Sequence, residues 1–264
     1  MSARARSSSP KGEATQSLWD LLAELKSHRM IDLTHAFRPG IPRWPGVDDE
    51  VRTTLYHYDE GIGTKGGGFL THEYRFSGAW GTHLDAPAHF VRGKRFVDEI
   101  TPGEMLLPLV VLDISRQTVE DHDYQVGMGD VRAWERRHGL IPAASFAALR
   151  TDWSRNWPDP KAMANRDKDG VEHYPGWSLE VLTYLFEERG VTAVGHEVLN
   201  TDPGFAASRG DFSLETYVLS RDRYQIELLA NLDQVPEQGA VVIATVPKPY
   251  RGTSFPARVI AIVP

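Results

Sequence analysis

The segment Gly81-Thr82-His83-Leu84-Asp85-Ala86-Pro87-Ala88-His89-Phe90 holds two imidazoles and a carboxylate close together. In extended backbone His83 and Asp85, two residues apart, face the same side, and Pro87 bends the chain so that His89 returns towards them. Such a nitrogen and oxygen donor set suits a divalent ion, Mn²⁺ or Zn²⁺, which with an open position activates water and polarises a carbonyl. The H-x-D-x-x-x-H spacing alone is met equally by a turn-capping His83 and a packed His89, because no helix fixes its geometry. The small residues Gly81, Ala86 and Ala88, with the rigid Pro87, favour ligation because they clear and stiffen the ground around the imidazoles.

Other chemistries find less support. There is no cysteine, so thiolate zinc sites, thiol nucleophiles and disulfides are excluded. Gly176-Trp177-Ser178 is not followed by the glycine of a nucleophile elbow and reads as a helix cap. His196-Glu197 fails as a metalloprotease pair because Asn200 stands where the second histidine belongs. That pair is expected to support the site or to lie at an interface. Gly61, Gly63 and Gly66 spell a formal dinucleotide fingerprint, but a β-patterned segment follows in place of the required helix. Trp44, Phe69 and Trp80 are candidates for an apolar pocket around a planar substrate, although each also reads as core.

The elements that must position these residues point to one mixed α/β domain. Of 264 residues, 41% are hydrophobic, enough for a large core. Residues 1–16 read as a disordered tail, and 17–264 as a single domain that begins with a helix over 17–29, capped by Ser17 with Asp20 three residues on. Strands are expected over 30–34, 51–58, 69–76, 109–114, 146–151, 191–195, 241–246 and 258–263, with helices over 130–137 and 179–189. The glycines between 51–58 and 69–76 form a long hairpin loop, the strand-helix-strand run from 146 to 195 implies a parallel crossover, and the last two strands an antiparallel pair. The proline-rich stretch 38–46 is an extended loop.

Twenty-nine basic against 36 acidic residues give a net charge of −7 with no basic run, so nucleic acid is not an expected partner. No stretch reaches the roughly 18–20 apolar residues of a membrane span and the N-terminus lacks a signal-peptide core, so a soluble, cytoplasmic protein without a membrane partner is expected. The leucine stripe of the first helix predicts a homodimer or homotetramer.

The run 81–90 closely resembles the H-x-G-T-H-x-D-x-P-x-H-F signature of the metal-dependent cyclase family, which includes bacterial kynurenine formamidases and isatin hydrolases. Asp32-Leu33-Thr34 with Trp44-Pro45-Gly46, Gly195-His196-Glu197 with Thr201-Asp202-Pro203, and Glu227 to Asp233 with the closing strands match as well, so the likeness spans roughly 30–264. It implies a mixed-sheet swivelling β/β/α fold, an oligomer, and hydrolysis of a small cyclic or N-acyl amide or a lactone at a Zn²⁺ or Mn²⁺ site. It also implies that His83 and Asp85 are first-metal ligands, that Asp85 bridges to a second ion, that His89 is a second-metal ligand or proton-transfer residue, and that Glu227 is a late ligand.

Two positions depart from the signature. Ala79 stands where the family's first histidine belongs, and Glu215 where another histidine precedes the late glutamate. An oxygen-rich set of Asp85, Glu215 and Glu227 with His89 favours Mn²⁺ over Zn²⁺. His72, on the preceding strand, is a candidate to fill the place vacated at Ala79. The expected function is a metal-dependent hydrolase of a small-molecule substrate in which Asp85 and His89 carry the chemistry. A catalytically impaired ligand-binding protein and a metal-dependent lyase or cyclase are the alternatives on the same fold.

Overall fold

The computed structural model describes residues 16–60 and 68–264. The tail expected over 1–16, apart from Gln16, and the glycine fingerprint at Gly61, Gly63 and Gly66 lie outside the described residues.

Among the described residues eleven strands form two sheets: β1 (Arg29–Asp32), β2 (Val51–Tyr56), β3 (Thr71–Arg75), β4 (His83–Asp85), β5 (Leu106–Asp113), β6 (Phe146–Arg150), β7 (Ala193–His196), β8 (Tyr224–Glu227), β9 (Ala240–Thr245), β10 (Ser254–Pro256) and β11 (Arg258–Val263). The large sheet runs β1-β11-β9-β5-β6-β7-β8-β4-β10, and β2 pairs with β3 apart from it. Strands β5 to β8 are mutually parallel, and the outer strands are antiparallel. Strands β10 and β11 are one run of chain interrupted at Ala257, yet β10 borders one edge and β11 lies one strand in from the other. The sheet must therefore curl until its two ends approach, and a bridge between Thr34 and Leu229 ties them.

Alternation along the strands divides the core. Leu107, Leu109, Val111, Phe146, Ala148, Ile226, Val242 and Val259 fill the inside of the curl. Val110, Leu112, Ala147, Leu149 and Val194 face outward against the helices Met128–His138, Leu179–Thr183 and Ser213–Ser220. The helix that starts at Leu179 is capped by Ser178, widens into a π-helical turn over Tyr184–Glu188 and stops at Gly190, whose φ of +65° suits glycine. The helix expected over 130–137 begins earlier, at Met128, because Asp130 accepts the backbone N–H of Gly127 at 2.9 Å and so acts from inside the first turn.

The first helix, Leu18–Ser27, has the expected capping box of Ser17 and Asp20, and none of its residues is buried. Leu18 and Trp19 are 80% and 85% exposed. No helix among the described residues is long and apolar enough to cross a membrane.

Candidate metal centre

Strands β4 and β8 build the site by register. His83 pairs with Glu227 and Asp85 with Gln225, so these four side chains share one face, while Leu84 and Ile226 point into the curl of the sheet. The Nε2 of His83 lies 3.4 Å from Asp85 Oδ2 and 3.5 Å from Glu227 Oε2. Pro87 opens a 3₁₀ turn, Pro87–His89, that brings His89 Nε2 to 3.8 Å from Asp85 Oδ1. All but His89 are buried.

Local backbone fixes the first imidazole. Gly81 has φ +62°, and its carbonyl accepts the Nδ1–H of His83 at 2.8 Å, which turns Nε2 towards the carboxylates. Behind the carboxylates, Gln225 Nε2 donates to Glu227 Oε1 at 3.1 Å and to Asp85 Oδ2 at 3.3 Å. The amide is oriented by Thr201, whose hydroxyl donates to Gln225 Oε1 at 2.6 Å. His196, from the end of β7, places Nε2 3.5 Å from Glu227 Oε1, and Trp177 Nε1–H donates to its Nδ1 at 3.3 Å.

Electrostatics set this cluster apart. Burial disfavours the His83 imidazolium, but the Asp85 and Glu227 carboxylates outweigh it and raise the group to about 9. Asp85 is held below its ordinary value, because His83 and His89 overcome the effect of burial. Burial and the neighbouring carboxylates push Glu227 and Glu215 well above the usual range. His196 is pulled down to about 3 by burial and stays neutral. Three carboxylates thus crowd a buried space with too little positive charge to ionise all of them.

A divalent cation fits this deficit. His83, Asp85 and Glu227 offer ligand atoms within 4.8 Å of one another, and Asp85 Oδ1 is buried without a hydrogen-bond partner. Their separations are those that an ion with bonds of roughly 2.1 Å spans. His83, Asp85 and Glu227 would hold the ion, with His89 and Glu215 on the same cavity wall.

The cavity above these residues has a volume of about 290 Å³ and is lined also by Trp44, Ser77, Ala79, Phe90, Leu199, Asn200 and Phe212. Trp44 therefore lies where a substrate pocket was expected. Phe69, His72 and Trp80 do not line it. Phe69 and His72 belong to the β2–β3 arm, where Phe69 packs on Tyr56 and His72 pairs with Thr54, so His72 does not replace the imidazole missing at Ala79. Trp80 is fully buried in the core, because the chain reverses facing at Gly81 before β4 begins. Glu197 is structural: it accepts the backbone N–H groups of Thr151 and Asp152, both at 2.7 Å, and the Ser154 hydroxyl at 2.6 Å. Gln225 escapes a sequence reading, although it sits one alternation before Glu227 on the same strand face; Thr201 lies in a stretch that resembles the family and Trp177 beside a helix cap, but neither position by itself assigns a role behind the ligands.

A curled mixed sheet carrying a buried His-Asp-Glu cluster beneath an apolar cavity is the arrangement of a metal-dependent hydrolase. Residues 31–203 match the Cyclase family model, and the chain belongs to that family. It is 34% identical over 189 residues to an isatin hydrolase of Roseibium aggregatum, covering 70% of this chain and 71% of the relative. Among solved structures it is similar to isatin hydrolase A from Ralstonia solanacearum, with a TM-score of 0.85, 32% identity and coverage of 96% of this chain and 100% of the other. A second, an isatin hydrolase bound to the product analogue thioisatinate, gives a TM-score of 0.85 at 26% identity over 94% of this chain and 100% of the other.

Proposed function

We propose that this metal-dependent hydrolase opens a small, planar cyclic amide of the isatin type by adding water across the C–N bond. The convergence of His83, Asp85 and Glu227 under the apolar cavity carries this reading. The ion that this set would hold, Mn²⁺ in preference to Zn²⁺ for its oxygen-rich donors, supplies Lewis acidity towards a carbonyl and makes water a competent nucleophile near neutral pH. Trp44, Phe90 and Phe212 flank a flat ring and exclude bulk water. His89 takes up at Nε2 the proton released as water adds to the carbonyl carbon, and returns it to the amide nitrogen as the C–N bond breaks. The products are a carboxylate and an amine joined through the ring.

Two variants separate the roles. Asp85→Ala removes a ligand and is expected to abolish both metal content and turnover, whereas His89→Ala keeps most of the metal and loses roughly 10²- to 10⁴-fold in turnover. Elemental analysis and isatin hydrolysis on the same preparations decide it. Full turnover in His89→Ala removes that residue from the mechanism, and metal retained in Asp85→Ala moves the site elsewhere.

We further propose that the protein works as a homodimer or homotetramer. An isolated helix as short as Leu18–Ser27 is marginal in water. Its uncovered Leu18, Trp19 and Leu22 call for a second copy to cover them.

A further inference from the structure

Arg43 and Leu199 line three adjoining cavities: the metal cavity and two outer ones of about 230 and 460 Å³. The charged residues around the outer pair are Arg43, Lys161, Arg166 and a single acid, Glu172. Arg166 spends its charge on that acid, placing Nε and Nη2 at 3.0 and 2.7 Å from Glu172 Oε1. Arg43 is less engaged: its Nε donates to the Val47 carbonyl at 3.3 Å, and its Nη1 stands 3.9 Å from Asp49. Lys161 makes no ion pair among the described residues; its backbone is bonded, the N–H donating to Asp159 at 2.8 Å and the carbonyl accepting from Asn165 at 2.8 Å. One loosely paired cation, Arg43, and one without an ion pair among the described residues, Lys161, therefore share the cavity of about 460 Å³, and Arg43 lines the metal cavity as well, in a chain whose net charge is −7.

That placement has a chemical counterpart. Ring opening converts a neutral amide into an anion, and positive side chains in the cavity that adjoins the metal cavity attract that anion. We propose that the outer cavity is a carboxylate-binding vestibule for aromatic acids, in which the Arg43 fork takes the carboxylate and Lys161 supplies a second positive charge. The identity of the ligand as a reaction product rests on the hydrolase reading; the binding preference does not.

Calorimetric titration of manganese-loaded protein with benzoate and with its neutral counterpart benzamide tests this. Wild type is expected to prefer benzoate, the preference weakening as salt is added. In Arg43→Gln the benzoate-to-benzamide ratio is expected to fall about tenfold, and in Lys161→Gln by a smaller factor, with manganese content unchanged in both. An equal ratio in all three proteins, or no benzoate binding by wild type, overturns the vestibule. Isatin turnover is read on the same samples. A wild type that turns over isatin but shows no anion preference removes the vestibule alone, whereas a wild type that keeps the preference without turnover upholds the anion site and removes the hydrolase reading.

Discussion

Thr201→Val probes the support behind the metal ligands without touching a ligand. The Thr201 hydroxyl donates to Gln225 Oε1 at 2.6 Å, and both residues are completely buried. Valine keeps the shape and removes the donor, so Gln225 Oε1 is left unpaired away from water, at a cost of about 1–3 kcal/mol. For a domain of this size each kcal/mol moves the melting temperature by about 2–4 °C, so a loss of roughly 2–12 °C is expected in a thermal melt. A second effect follows from orientation. The same amide donates to Asp85 and Glu227 at 3.3 and 3.1 Å, and without Thr201 the orientation that faces nitrogen towards them loses the donor that pins its oxygen. Losing such support for ligating carboxylates lowers metal affinity by about 10- to 100-fold. Titration of metal-free protein with Mn²⁺ reads this directly, and Thr201→Ser, which keeps the hydroxyl, is expected to restore affinity. A variant that melts within about 1 °C of wild type and binds manganese equally well refutes the reasoning.

Other perturbations address the fold and its assembly. A Cβ at Gly195 would lie 2.6 Å from Phe146 Cζ and 2.9 Å from Leu229 Cδ1, so Gly195→Ala is expected to cost about 1–3 kcal/mol, measured by urea unfolding. Burial raises the Glu104 carboxyl, but the Arg95 fork and the Thr101 backbone and hydroxyl donors lower it further, to about 2 against an ordinary 4.5. Its contribution is therefore present above pH 4.5 and lost as the pH falls towards 2. Glu104→Gln should be less stable than wild type by about 1–2 kcal/mol at pH 7, with the gap closing over that acid range. Sedimentation should give two or four times the chain mass of 29.6 kDa, and removal of residues 1–27 should lower the number of chains per particle; a single-chain mass for the intact protein counts against the homo-oligomer.

What could be read from the sequence follows from the distance over which each arrangement is decided. The facing of His83 and Asp85 is a property of two alternate residues, and the return of His89 is a property of Pro87, so both are local. The parallel β6–β7 pair with the Leu179 helix between its strands was equally legible, because cap, stripe and glycine stop lie in one stretch of chain. Phe69 and His72 misled for the opposite reason. Their strand pattern is sound, but pairing with β2 carries that strand into a separate arm, and no local pattern says which sheet a strand will join. Gln225 was invisible, and the part Thr201 plays with it, because an amide bridging two carboxylates depends on the register of β4 against β8, across 140 residues of chain.

Glu215 is the position where sequence and structure must be argued together. Its carboxylate in place of an imidazole looks in isolation like a damaged site, as does the missing histidine at Ala79. In the fold Glu215 is buried in the same cavity as Asp85 and Glu227, on the helix Ser213–Ser220, whose first turn is anchored by Asp202 accepting the N–H groups of Leu214 and Glu215 at 2.8 and 3.0 Å. An acidic side chain fixed so firmly beside two others is costly unless a cation or a proton compensates it, and Ala79 removes one group that could have carried positive charge. The two departures therefore act in one direction: Glu215 puts a carboxylate where the signature has an imidazole, and Ala79 takes a nitrogen donor away without replacing it, so His83 and His89 are the imidazoles left on the cavity wall beside Asp85, Glu215 and Glu227.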